Sequence, residues 1–266
     1  MLYKYYLILI LGILLIEGCS KDIQNHEVPI LGHAGTGLFN PQQMFKENTA
    51  EAVAYALSFE DLAGIEVDVQ LSKEGTFWLY HDEDLSSQTN GEGQICERSD
   101  EYLETLHHTT LNQERLTTLS SLSFEDLNTP KVVFLDLKFI SFCALDSNEM
   151  DQIAKKMKNL LEHKTDLVSF YPVVLGNENK QIFKNNGFEK IYADASSFED
   201  GAKKLDSGFD GVFVRNVNLD KQKVNELKQK GEVVLFDLRA PSTIKKALRR
   251  KPDFLMVEEF RTALAI

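Results

Sequence analysis

The chain has 266 residues, with 29 Lys and Arg against 41 Asp and Glu and a formal net charge of −12. That length suits one large domain or two small ones with room for a substantial core. The acidic balance comes without a basic stripe or an aromatic-interleaved Lys/Arg patch, which excludes nucleic acid as the expected partner but leaves room for a small phosphate-bearing substrate held through a metal.

At the N-terminus, Lys4 precedes an apolar run from Tyr5 to Ile16 that breaks at Glu17-Gly18-Cys19-Ser20. About a dozen residues are too few to span a bilayer and match the hydrophobic region of a signal peptide. A Cys directly after a small residue at the end of such a run resembles a bacterial lipobox. Residues 1–18 are therefore expected to be removed, and Cys19 to carry a lipid that anchors the exported protein to a membrane of the bacterial cell envelope. Glu17 is an unusual occupant of its position, so a plain secretory signal or an uncleaved anchor is the alternative. Cleavage would remove one Lys and one Glu and leave the net charge unchanged. Residues 19–27 read as a tether and 28–266 as a single domain. Cys96 and Cys143 remain, and an oxidising compartment would allow them to pair; two Cys without geometry decide nothing further.

Val28 to Leu31 reads as a short strand running into Gly32-His33-Ala34-Gly35-Thr36-Gly37, a way of presenting one imidazole at a strand end. A polar loop to Lys46 and the triplet Glu47-Asn48-Thr49 follow. Asn48 or Thr49 is expected to cap a helix over Ala50–Leu62, whose Ala52, Val53, Ala56, Leu57 and Phe59 fit a 3.6 period. Gly64 to Asp84 is the most informative stretch. Ile65, Val67, Val69 and Leu71 alternate with Glu66, Asp68 and Gln70, so Glu66 and Asp68 share one strand face. Two adjacent carboxylates repel unless a positive charge lies between them, and a hard divalent cation supplies it. Phe77-Trp78-Leu79-Tyr80 reads as a return strand ending in His81-Asp82. A two-residue loop at Glu74-Gly75 would place His81 opposite Asp68.

From Ser86 to about Ser123 the pattern loosens, with a short capped helix over Ser99–Leu106. This segment is expected to edge a substrate pocket, and His107-His108 to lie in a solvated loop. Lys131 to Lys138 is the next strand, its continuous apolar start implying burial on both faces and a parallel sheet. Strands follow at Leu167–Phe170, Lys190–Ala193, Gly211–Val214, Val233–Phe236 and Phe254–Val257. Helices alternate with them near Asn148–His163, Glu178–Asn186, Phe198–Leu205, Asp220–Lys230 and Thr243–Arg249, the last with Ser242 as its cap. Eight parallel strands alternating with helices imply an α/β fold, a (β/α)8 TIM-like barrel with an extra hairpin strand after strand 2. An open doubly wound sheet is disfavoured because no GxGxxG or P-loop follows a strand.

In such a barrel the strand C-termini share one rim, which would collect His33, Glu66, Asp68, Asp136, Lys138, Ser169, Arg215, Asp237, Arg239 and Glu258. Glu66, Asp68 and Asp136 offer only oxygen, which favours Ca²⁺ or Mg²⁺ over Zn²⁺. Two histidines across that cation would make a general base and a general acid, and Lys138 with an Arg could clamp an anion. No G-x-S-x-G elbow occurs, which disfavours a Ser-His-Asp hydrolase.

Gly32-His33-Ala34-Gly35, Glu47-Asn48-Thr49, Glu66-Val67-Asp68, His81-Asp82 and Asp136-Leu137-Lys138, with the weaker Ser169-Phe170, resemble in order and spacing the glycerophosphodiester phosphodiesterases, over about residues 28–260. The resemblance implies a TIM-like barrel that cleaves a small-molecule glycerophosphodiester to glycerol 3-phosphate and an alcohol. It also implies His33 and His81 as the acid/base pair, Glu66, Asp68 and Asp136 as metal ligands, and Lys138 as a phosphate contact. The family usually has Arg where Ala34 stands, and Arg215 or Arg239 could replace it from other strands. The third carboxylate is often Glu there and is Asp136 here; Phe236 stands for a Trp and Glu258 for an Asp. A barrel directed at phosphatidylinositol or a lysophospholipid, or an inactive barrel serving as a surface binding lipoprotein, is the competing reading. No oligomeric state is implied.

Overall fold

The computed structural model describes residues 27–38, 43–162 and 164–266. The expected signal segment, Cys19 and nearly all of the tether lie outside them. Among the described residues no helix is long and apolar enough to cross a membrane.

Eight parallel strands close on themselves: β1 (Ile30–Gly32), β2 (Gly64–Leu71), β5 (Lys131–Leu137), β6 (Val168–Val173), β7 (Tyr192–Ala195), β8 (Gly211–Arg215), β9 (Glu232–Leu238) and β10 (Phe254–Val257). They lie in that order around the ring, with β1 bonded to both β2 and β10. Two antiparallel strands, β3 (Phe77–Leu79) and β4 (Thr117–Thr118), extend from β2 outside the ring. The expected barrel is therefore present, with one more outer strand than the single hairpin return the sequence suggested.

Helices return the chain between strands. They are α1 (Ala50–Leu57), α2 (Asp100–Thr105), the short α3 (Phe139–Phe142), α4 (Ser147–Glu162), α5 (Gly176–Asn185), α6 (Phe198–Asp206), α7 (Lys221–Lys228), α8 (Pro241–Leu248) and α9 (Phe260–Leu264). In α4, Met150, Ala154, Met157 and Leu161 recur every three or four residues and are the ones buried against the barrel. Thr49 caps α1 by accepting from the Ala52 N–H, and Ser99 caps α2. α1 stops at Leu57, short of the expected Leu62, and the Lys131 ammonium takes up the carbonyls of Phe59, Glu60 and Leu62 beyond it. α8 opens earlier than its periodicity suggested, with Pro241 in its first turn and Thr243, not Ser242, bonding back to Ala240.

Two apolar layers result. One lies between the ring and its helices; the other fills the barrel with Leu31, Phe134, Tyr171, Val173, Tyr192, Phe213, Val234 and Met256. Phe134 meets Tyr192 and Phe213 edge to face at 4.8 and 5.1 Å. Residues two further along a strand share its face and lie about 6.6 Å higher. Above Leu31 comes His33, above Phe134 Asp136, above Tyr192 Asp194, above Phe213 Arg215, and above Met256 Glu258. An aromatic floor thus carries a polar layer at the C-terminal rim.

Residues 77–118 form a lobe with its own core of Trp78, Tyr80, Leu85, Ile95, Leu103, Leu106 and Leu116. The Trp78 indole donates to Asp100, whose other oxygen accepts from Thr76. His108 belongs to this core: it is fully buried and stacked on Tyr80, and burial holds its pKa down at about 4. The solvated loop expected there is thus corrected, because Trp78 and Tyr80 draw the segment into a packed lobe.

Candidate active site

The site starts with a tight turn. After β1, the His33 N–H donates to the Val257 carbonyl, and Gly37 N–H closes the turn onto His33 O at 2.8 Å. A Cβ on Gly32 would lie 2.2 Å from the Gly35 carbonyl oxygen, so glycine alone fits there. Ala34 takes a φ of +45°, and its N–H donates to Glu66 Oε2 at 3.0 Å. The residue standing where the family usually has Arg thus serves the carboxylate through its backbone.

Glu66, Asp68 and Gln70 share one face of β2, all buried. Asn48, at φ +59°, clamps Asp68: its Nδ2 donates to Asp68 Oδ2 at 2.7 Å, and its Oδ1 accepts from the Asp68 N–H at 3.0 Å. Gln70 Nε2 donates to the carbonyls of Tyr80 and Asp82, which flank His81. Neither role was legible in the sequence, where Gln70 reads as an ordinary polar alternation and Asn48 as a cap.

The hairpin register differs from the expectation. Ser72 N–H donates to Thr76 O, leaving a three-residue loop with Gly75 at φ +79°, so Tyr80 rather than His81 lies opposite Asp68. Asp68 O accepts from the Tyr80 N–H at 3.1 Å. His81 reaches the cavity from beyond the end of β3, where Gln70 holds the backbone. Its Nδ1 donates to Asp82 Oδ1 at 2.7 Å, and Asp82 Oδ2 accepts from Ser87.

Asp136 ends the inward face of β5, beside Asp68 in the register. One oxygen from each of Glu66, Asp68 and Asp136 lies within 4.8 Å of the others. Burial and the charge of Asp68 push Glu66 well above the usual carboxylate range and raise Asp136 as well. Asp68 opposes its own burial: Lys138, His81, His33 and Asn48 hold it below its ordinary value. Lys138 Nζ lies 2.6 Å from Asp136 and 3.3 Å from Asp68. One ammonium cannot balance three clustered carboxylates, and the elevated Glu66 and Asp136 record the deficit. An all-oxygen set of this kind fits a hard dication.

His33 is placed between acids. Its Nδ1 donates to Glu258 Oε1 at 2.8 Å, and its Nε2 lies 3.8 Å from Glu66 Oε2. Burial alone would push the imidazole down, but the bond to Glu258 and the charges of Glu66 and Asp68 outweigh it and hold the pKa at about 9.

His33, Glu66, His81, Asp136, Lys138, Arg215, Asp237, Arg239 and Glu258 line one cavity of about 280 Å³, with Asp68 beneath it. Asp237 bridges Arg215 Nη1 and Arg239 Nε, both at 3.0 Å. It has φ +62°, at a register shift between β9 and β10 that turns both Phe236 and Asp237 into the cavity. Arg215 also lies over the Phe236 ring at 5.3 Å.

Ser169 is not at this rim. It pairs with Val132 near the start of β6, which continues through Pro172 to Val173 before reaching the cavity. β6 bonds to β7 only at Val173↔Tyr192, so a residue without an N–H is tolerated inside it. No residue of 86–123 lines the cavity, because the segment packs onto the lobe's own core and, at Leu119 and Leu122, onto the outer core of the barrel. Asp194 does line it, although its sequence position did not announce it; its side chain is exposed at the rim, and enclosure by the cavity wall with the charge of Asp136 raises its carboxyl.

The sequence profile of the Glycerophosphoryl diester phosphodiesterase family matches residues 33–189. Glycerophosphodiester phosphodiesterase 1 of Bos taurus is 30% identical over 108 residues, 38% of this chain and 32% of that protein. The chain thus spans about a third of the length of that curated relative. A phosphodiesterase from Oleispira antarctica, solved with the product sn-glycerol-3-phosphate, has a TM-score of 0.71 at 17% identity, covering 90% of this chain and 97% of that one. The glycerophosphodiester phosphodiesterase of Agrobacterium tumefaciens has a TM-score of 0.65 at 17% identity, covering 89% and 99%.

Proposed function

The chain belongs to the glycerophosphoryl diester phosphodiesterase family, and from that premise we propose that it hydrolyses a small glycerophosphodiester to glycerol 3-phosphate and an alcohol. The observation that carries the reading is the convergence in one cavity of two carboxylate-anchored imidazoles, a carboxylate triad and Lys138. Glu66, Asp68 and Asp136 would hold a divalent cation, Ca²⁺ or Mg²⁺, which supplies charge neutralisation at the phosphoryl oxygens when bound.

The protein's own groups do the rest. With Nδ1 of each imidazole hydrogen-bonded to a carboxylate, Nε2 is the atom left for proton transfer. His33, whose Nδ1 is bonded to the Glu258 carboxylate, suits the general acid that delivers a proton to the leaving alkoxide as its P–O bond breaks. His81 suits the general base that takes a proton from the attacking water as the new O–P bond forms. Lys138 meets a phosphoryl oxygen. Arg215 and Arg239, tethered by Asp237 at the mouth, take the anion contact that Ala34 does not supply. From the sequence alone, residues 1–18 are proposed as an export signal and Cys19 as the lipidated residue.

The test is glycerol 3-phosphate release from a glycerophosphodiester panel by the chelated protein, with and without Ca²⁺ or Mg²⁺, beside His33→Ala and His81→Ala. Cation-dependent turnover lost in both variants is expected. Folded, cation-binding protein that turns over nothing in the panel would overturn the reading. Removing both Arg215 and Arg239 should weaken binding of a phosphate analogue, and unchanged affinity would remove them from the site.

A further inference from the structure

A second pair of reactive groups lies where the lobe meets the barrel, and the phosphodiester chemistry leaves it unused. Cys96 sits in the 3₁₀ turn Ile95–Glu97, and Cys143 directly follows α3. Remote in sequence, both are half-buried free thiols lining one surface cleft with Leu71, Gly75 and Ile153. Cys96 Sγ lies 3.8 Å from the carbonyl oxygen of Phe142, the residue before Cys143, which places the two thiols side by side in the cleft.

Each thiol is carried by a hydrogen-bonded turn, so the approach is not made by two loose side chains. Ile95 is fully buried in the lobe core, and the Arg98 N–H closes its turn onto Ile95 O. Cys143 N–H donates to Phe139 O at 2.9 Å, while Ser141 and Phe142 donate to the Lys138 carbonyl.

We propose that Cys96 and Cys143 form a disulfide, stapling the lobe that carries His81 to the turn that opens at Lys138. The co-reactant is a disulfide of a thiol oxidase or oxidised glutathione. The Cys96 thiolate attacks one sulfur of that disulfide, forming a mixed disulfide and expelling one thiolate. The Cys143 thiolate then attacks the Cys96 sulfur, forming the Cys96–Cys143 bond and expelling the second. Two electrons pass to the oxidant, and the two thiol protons end on its released thiols. The electron and proton balance is the same whichever thiolate attacks first. The bond does not depend on the phosphodiesterase reading, and it accords with export, since disulfides persist outside the reducing cytosol.

The full chain and its Cys96→Ser, Cys143→Ser and double Ser variants are equilibrated with oxidised glutathione or dithiothreitol. The oxidised wild type, digested without reduction, should yield a Cys96–Cys143 peptide pair lighter by the mass of two hydrogens. Its Tm should exceed that of the reduced protein by about 5–10 °C, with no such shift in any variant. Free thiols at both positions in folded, oxidised protein would overturn the proposal, as would a link to Cys19 or one found only between two chains. The double variant, whose hydroxyls replace thiols of similar size, separates loss of the bond from loss of the fold.

Discussion

Replacing Glu258 with Gln removes one charge and almost no volume. Glu258 Oε1 accepts from His33 Nδ1 at 2.8 Å, and both side chains are nearly buried, at 4% and 12% exposure. A Gln oxygen can still accept that proton, so the tautomer with Nε2 toward the cavity survives and the field does not. A hydrogen bond to a charged group contributes about 1.5–3 kcal/mol against about 0.5–1.5 for a neutral one. The difference, about 1–2 kcal/mol on the imidazolium, should bring the His33 pKa down from about 9 by roughly one unit. Losing the carboxylate that orients a working imidazole should lower kcat about 10- to 100-fold with KM little changed. The assay is glycerol 3-phosphate release against pH at saturating cation, with the His33 resonances of the cation-free protein titrated by NMR. An unchanged kcat with an unmoved titration would refute the orienting role.

Asn48→Ala removes two buried hydrogen bonds to Asp68 and puts Ala at φ +59°, so thermal unfolding should show a loss of about 2–4 kcal/mol; a loss below about 1 would contradict it. Without cation, stability should fall as pH rises. His33, raised from 6.5 to about 9, contributes fully below about 6.5 and loses that contribution as pH climbs through about 9. Glu66 and Asp136, also raised, ionise first in the unfolded chain and push the same way, with the lowered Asp68 opposing. Excess Ca²⁺ or Mg²⁺ should flatten this slope, and urea midpoints at pH 6 and 9 decide it; greater cation-free stability at pH 9 would be the contrary result. Asp237→Asn keeps a residue that accepts φ +62° but releases Arg215 and Arg239, so KM should rise with little change in Tm, whereas Asp237→Ala should cost about 1–2 kcal/mol more. Equal stabilities of the two variants would show that the backbone there carries no strain.

The barrel was legible because a parallel strand buried on both faces cannot alternate. Val132 to Leu135 and Val233 to Phe236 stand out as unbroken apolar runs, and Gly187 and Gly208 mark helix ends at positive φ. Most of the site followed from its place at strand ends. What escaped depended on backbone choices that side-chain chemistry does not announce. Gly75 in a left-handed conformation, rather than a two-residue turn, moved His81 off the register of Asp68. β6 running through Pro172 carried Ser169 away from the rim. Asp194 was lost because the strand seemed to end at Ala193, although Tyr192-x-Asp194 repeats the apolar-then-polar spacing of Leu31-x-His33 and Phe134-x-Asp136. His108 was misplaced because its burial is set by Tyr80, remote in sequence.

The ring of Phe134, Tyr192 and Phe213 beneath the carboxylates makes the barrel a tube with a sealed base. Among the described residues, Asp68, at 1% exposure, lies beneath the cavity whose mouth carries Lys138 and Arg215. A phosphate seated at that mouth would cover this approach, so an ion held at Asp68 would enter before it and leave after it. Arrival and departure then follow the rule of a stack, last in and first out. The order of events at this site would be set by architecture, before any difference in affinity is considered.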